Sequence, residues 1–293
     1  MDWTRLASGI YMFAIGLGKK MLITDVFAEA VNWGYSNITE LNTTSAFFIS
    51  IAYSIQIYFD FSGYSDMAIG VSRILQFNLP VNFNSPYKAC TITEFWDRWH
   101  ITLTNFFTRY LYIPLGGSHR GQLRTYLNIL IVFLCSGLWH GASWTFILWG
   151  AMHGYFTILT KHFQHLVNKV PRLINHIITL IFLNFTWILF RAESTSVLKQ
   201  MVTVLLANNW GSLNPSISRF FQPILLESSS IPLGAYPVIA LVLVLFIIFK
   251  CKNVQEITDT FRPSIRSGLW IVIILVLSTL SLSGISTFVY SYF

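Results

Sequence analysis

Residues 134–154 read LCSGLWHGASWTFILWGAMHG and contain no aspartate, glutamate, lysine or arginine. Two apolar runs, 126–139 and 142–159, meet there at His140, which is flanked by Gly137 and Gly141. Each run is somewhat short of the roughly 20 residues a helix needs to cross a hydrocarbon layer. The glycines permit close backbone approach and a break, so the stretch reads as two short helices that meet inside a membrane. A histidine at such a depth needs a partner or a water-filled cavity. As a neutral imidazole it is available as a proton acceptor, and general-base activation of a hydroxyl is its natural task. On the residues alone, a structural role is equally open.

Working outward, comparable apolar runs lie at 7–22, 45–69, 174–190, 235–249 and 268–289. Hydrophobic residues make up 54% of the chain and charged residues only 11%, against about a quarter charged in ordinary soluble domains, which excludes a single soluble core. The expectation is an all-α polytopic membrane protein of about seven transmembrane helices, forming one membrane domain over 1–293. No small-residue cleavage pattern follows the first apolar run, which reads as a retained segment. The formal charge of +7 comes from lysines and arginines spread between apolar runs, with no basic arm, so no nucleic-acid partner is expected and the lipid bilayer is. Cys90, Cys135 and Cys251 are far apart and lack CxxC spacing, which indicates neither a disulfide framework nor a metal site.

Basic residues set the topology, because cytoplasmic loops retain lysine and arginine. The loop 70–125 carries Arg73, Lys88, Arg98, Arg109, Arg120 and Arg124 against Glu94 and Asp97, and is expected in the cytoplasm. Alternation then puts Lys161, Lys169 and Arg172 inside and the polar loop 191–234 outside, the latter with a short amphipathic piece at 197–207. Lys250, Lys252, Arg262 and Arg266 return to the inside. Lys19 and Lys20 interrupt the first apolar run and either snorkel to the interface or point into a polar interior.

Three further groups of residues invite chemistry. Asp60 and Asp66, in SIQIYFDFSGYSDMAIG (54–70), sit in or at the end of an apolar span, where an ionisable group costs about 2.5–3.5 kcal/mol and faces a cavity or partner, unless a turn at Gly63 puts it at the interface. Thr91 and Glu94 make a capping-box start, and Ile92, Phe95, Trp96, Trp99, Leu103, Phe106 and Phe107 follow at helical spacing. That predicts one amphipathic helix along the cytoplasmic interface, with its tryptophans at headgroup depth. His100 lies at the edge of the apolar face and, taken alone, reads as structural. His153 reads as a packing residue.

Together, YFDFSGYSDMAIG (58–70), FWDRWHITLTNFFTRYLYIPLGG (95–117) and GLWHGASWTFILWGAMHG (137–154) resemble the membrane-bound O-acyltransferases, most of all the alginate O-acetylation branch, with teichoic acid D-alanylation proteins more distant. The resemblance implies a helical fold around a tunnel, His140 at the reacting centre and His100 as the second functional histidine. It makes Asp60, Tyr64, Asp66, Trp96, Arg98, Trp99 and Trp139 tunnel or support residues. It further implies acetyl-CoA or another acyl thioester as cytoplasmic donor, with no bound cofactor. An extracytoplasmic polysaccharide would be the acceptor, a separate SGNH-type acetyltransferase the partner, and the cytoplasmic (inner) membrane the location. Members of this branch carry additional helices before the segment that matches residues 2–31, so a partial fold is expected. The competing readings are a transporter or channel that uses the intramembrane aspartates and histidines, and a non-catalytic truncated scaffold.

Overall fold

The computed structural model describes residues 2–223 and 229–281. Ser228 of the polar loop, the end of the last expected span and the closing FVYSYF lie outside the described residues. Among the described residues the regular elements are all helical: α1 (Trp3–Ser36), α2 (Thr43–Ile74), α3 (Ile92–Trp96), α4 (Ile101–Phe107), α5 (Gln122–His140), α6 (Trp144–His162), α7 (Gln164–Val167), α8 (Arg172–Arg191), α9 (Thr195–Leu206), α10 (Pro215–Arg219), α11 (Ala235–Lys250), α12 (Val254–Asp259) and α13 (Ile265–Leu280). Each of the seven expected spans has a helix. Three of these, α1, α5 and α8, are long and apolar enough to cross a membrane by length and composition, and α11 and α13 are shorter apolar helices. The first runs well past residue 22, because no proline or turn residue stops it. A π-helical turn, Lys19–Thr24, absorbs the two lysines within it.

The chain forms two compact units, one reaching to Asn84 and resuming at Thr203, the other Ser85–Val202. In the first unit α1 and α2 pack against each other along glycines. A Cβ on Gly9 would lie 2.7 Å from the Gly70 carbonyl oxygen, and one on Gly16 would lie 2.6 Å from that of Gly63. Small residues at such a seam let helix backbones approach, which is how helices associate where lipid is as apolar as the side chains. Asn42 caps α2 by accepting from the Ser45 amide. The Asn-rich segment folds back onto that helix start: the Asn209 amide donates to Thr43 Oγ1 and the Asn214 amide donates to Ser45 Oγ.

In the second unit the predicted single amphipathic helix is two helices. Thr91 caps α3 by accepting from the Glu94 amide, and the Glu94 carboxylate reaches back to the Cys90 amide, one residue before the expected capping-box partner. The run then breaks at His100, whose backbone is left-handed at φ 46° and ψ 50°, a region non-glycine residues seldom occupy. The break turns α3 inward. Trp99, expected at headgroup depth, is 2% exposed and Phe95 is 0% exposed, and the two pack on each other and on Trp187 of α8. Apolar burial of two large rings outweighs the strained residue between the helices.

Candidate functional site

The second unit is organised by the crossing of α5 and α6. A Cβ on Gly137 would sit 2.4 Å from the Phe146 carbonyl oxygen, and one on Gly150 would sit 2.3 Å from that of Phe133, so the two helices touch backbone to backbone. His140 is the last residue of α5. A Cβ on Gly141 would lie 2.7 Å from the Phe146 ring, so the chain turns past that ring only with glycine there. Ser143 opens α6 by accepting from the Thr145 amide.

The histidine that ends α5 is 3% exposed. Its ring centroid lies 4.9 Å from Trp139, 5.3 Å from Trp149, 5.0 Å from Phe190 and 6.4 Å from Phe146, an aromatic collar drawn from α5, α6 and α8. Trp139 is 56% exposed, and its ring centroid also lies 6.5 Å from that of His100. His100, in the segment between spanning helices, is buried. Burial alone lowers its imidazole to about 4, so it stands neutral near pH 7.

His153, one turn after Trp149, is held by a directed hydrogen-bond chain. Trp96 Nε1–H donates to His153 Nδ1 at 3.3 Å, so the ring proton resides on Nε2, which donates to Thr186 Oγ1 at 3.0 Å. The Thr186 hydroxyl in turn donates to the Leu183 carbonyl at 3.0 Å. With both nitrogens occupied, His153 is a fully satisfied buried histidine whose ring packs 4.7 Å from Trp149. Trp149 and Trp187, each 1% exposed, have indole N–H groups with no hydrogen-bond partner among the described residues. The two indole rings stand stacked, their centroids 6.4 Å apart.

A separate open groove of about 420 Å³ runs between α3 and the ends of α6 and α7, lined by Thr93, Glu94, Asp97, Thr157, Lys161 and Asn168 among others. His140 is not among its lining residues. Arg98 grips Glu94 Oε1 through Nε at 3.1 Å and Nη2 at 2.9 Å. Desolvation, then repulsion from Glu94, push the Asp97 carboxyl upward against the pull of Arg98.

Asp60 and Asp66 belong to the first unit and form ion pairs with α1. Lys20 Nζ lies 2.6 Å from Asp60 and 3.7 Å from Asp25, while Lys19 Nζ lies 2.6 Å from Asp66 and 3.4 Å from Ser62 Oγ. Of the two placements open to the lysines in the sequence, the structure shows the interior one. Tyr64 is 53% exposed. Thus His140, His100, Trp96, Arg98, Trp99 and Trp139 lie in one unit, and Asp60, Tyr64 and Asp66 in the other. Sequence reasoning missed Phe146, Trp149, Thr186, Trp187 and Phe190. Trp149 carried a signal, one helical turn before His153; the α8 residues carried none, because their neighbours are distant in the chain. Among the described residues no cluster of His, Cys, Asp or Glu has the makings of a metal site.

The family model described as MBOAT, membrane-bound O-acyltransferase family, matches residues 2–199, which include every one of these positions. The chain belongs to the membrane-bound O-acyltransferase family. Among family members it is similar to the peptidoglycan O-acetyltransferase of Helicobacter pylori, 45% identical over 210 residues that cover 69% of this chain and 40% of the relative. It is similar to the probable alginate O-acetylase AlgI of Pseudomonas aeruginosa, 40% identical over 200 residues, 67% of this chain and 38% of the relative. A more distant likeness is the teichoic acid D-alanyltransferase of Streptococcus thermophilus, 29% identical over 153 residues, 50% of this chain and 36% of the relative. The chain thus spans about two fifths of the length of the curated relatives it matches.

Proposed function

We propose that the protein is a membrane O-acyltransferase that moves an acetyl group from a cytoplasmic thioester, acetyl-CoA or a carrier-bound equivalent, toward an extracytoplasmic polysaccharide. The observation that carries this reading is His140: an imidazole buried among aromatic rings at a helix end, in a chain of this family whose relatives are named for polymer O-acetylation. In the chemical step an acceptor oxygen attacks the thioester carbonyl carbon while His140 takes its proton. The C–O bond forms, the C–S bond breaks, and the departing thiolate receives the proton from His140. General-base help of this kind is worth about 100- to 10,000-fold in rate. His100, neutral and across Trp139 from His140, assists on the donor side. Trp139, half in the collar and half outside it, is where the collar opens to substrate.

The same reading places the protein in the cytoplasmic membrane, with loop 70–125 on the donor side and 191–234 outside, and an SGNH-type acetyltransferase completing transfer to the polymer. The transporter alternative would use the intramembrane aspartates as a charge path, whereas Asp60 and Asp66 are engaged by Lys20 and Lys19. The test is His140→Ala in cells that depend on the protein for polymer acetylation. Ester-linked acetate should disappear from the envelope polysaccharide while the protein stays at normal level in the membrane. Full acetylation by that variant would overturn the reading.

A further inference from the structure

Buried indole N–H groups find acceptors in almost every folded protein, because leaving one unpaired forfeits a hydrogen bond to water with nothing in return. Trp149 departs from that rule at a telling position. Its ring is 1% exposed, its N–H has no partner among the described residues, and it stands perpendicular to His140 at 5.3 Å. Nor is it loosely held. His153, pinned by Trp96 and Thr186, packs on it at 4.7 Å, Phe190 at 5.4 Å, and the Gly137–Gly150 contact fixes the helix that carries it. A donor so rigidly oriented and so dry is one whose acceptor arrives with the substrate.

We propose that the Trp149 indole N–H is a catalytic hydrogen-bond donor to the acyl carbonyl oxygen. This rests on the acyl-transfer reading of His140. When the acceptor oxygen adds to the thioester carbon, the carbonyl π electrons move onto oxygen. Trp149 Nε1–H holds that oxyanion until the C–S bond breaks and the carbonyl re-forms, and Trp149 itself neither gains nor loses a proton. A preorganised donor in a water-excluded site favours the charge that develops in the transition state, and removing one such donor elsewhere costs about 100- to 1,000-fold in turnover. Trp187 carries the second unpaired N–H, but Trp149 is the one that pairs directly with the His140 ring.

The experiment replaces Trp149 in the protein in its native membrane by Phe and, to keep the ring shape, by 3-benzothienylalanine, in which sulfur stands for N–H. Acetyl transfer from acetyl-CoA is measured alongside thermal stability in detergent. The expected result is turnover lower by about 100-fold or more with little change in KM, and a melting temperature for the sulfur isostere equal to or above that of the wild type, because an unpaired buried donor has been removed. Wild-type turnover in the isostere overturns the proposal. So does a lowered melting temperature in the isostere, which means the N–H has a structural partner. A His140→Ala control separates the failures: retained acetylation there defeats the acyl-transfer reading, while the stability measurement still reports whether the Trp149 donor is unpaired.

Discussion

The pair Lys20–Asp60 offers the sharpest test of how the first two helices are held. The Asp60 side chain is 0% exposed, and Lys20 Nζ approaches it to 2.6 Å. At an effective dielectric of about 20, two unit charges at that separation attract by about 6 kcal/mol, and part of this offsets the desolvation of both groups. Removing one partner leaves a buried charge with that desolvation uncompensated, so Lys20→Met should destabilise by about 3–5 kcal/mol and Asp60→Asn by a comparable amount. The double variant removes both charges together and should cost less than the sum of the single effects by a coupling energy of about 2–3 kcal/mol. The measurement is reversible unfolding in mixed micelles, followed by tryptophan fluorescence, for the wild type, both single variants and the double variant. Additive single effects, within about 0.5 kcal/mol, would show that the contact is incidental and that the lysines are not matched to the aspartates.

Gly150→Ala should weaken the α5–α6 crossing by about 1–3 kcal/mol, since the new methyl meets the Phe133 carbonyl at 2.3 Å; a melting temperature within a degree of wild type would contradict that geometry. His153→Phe fills the same space but leaves Trp96 Nε1 without its acceptor, and should cost about 1–3 kcal/mol, with His153→Asn recovering part through its side-chain oxygen; equal stability of all three proteins would refute the hydrogen-bond chain. His100, near 4 when folded and 6.5 when unfolded, binds its proton more readily in the unfolded chain. Its contribution therefore makes stability fall as pH drops from about 6.5 toward 4, at up to about 1.4 kcal/mol per pH unit, and His100→Gln should flatten that slope in acid denaturation curves.

Much of this architecture was legible in the chain because membrane helices announce themselves locally. Apolar run length located a helix at each expected span, and glycines flanking His140 marked the turn between α5 and α6. What escaped was long-range. The continuous spacing from Ile92 to Phe107 describes one helix correctly in periodicity, yet burial of Phe95 and Trp99 against Trp187 demands a break, and nothing local to His100 signals a left-handed residue. Lys19 and Lys20 looked like interruptions because their partners lie some forty residues on. Of the collar around His140 only Trp139 was picked out from the sequence; Phe146 and Trp149 are near neighbours in the chain that were passed over, and Phe190 arrives from α8.

The glycine contacts between α1 and α2 occur twice, Gly9 with Gly70 and Gly16 with Gly63, seven residues apart along each helix of the hairpin. Sliding either helix by one position would drive side chains into backbone at both places, so the hairpin has a single permitted alignment. Both partners precede the histidine-bearing helices in the chain. They can therefore lock together while the ribosome is still producing the histidine-bearing helices, and lesions at these four glycines should show up first as poor membrane insertion, before any defect in catalysis can be measured.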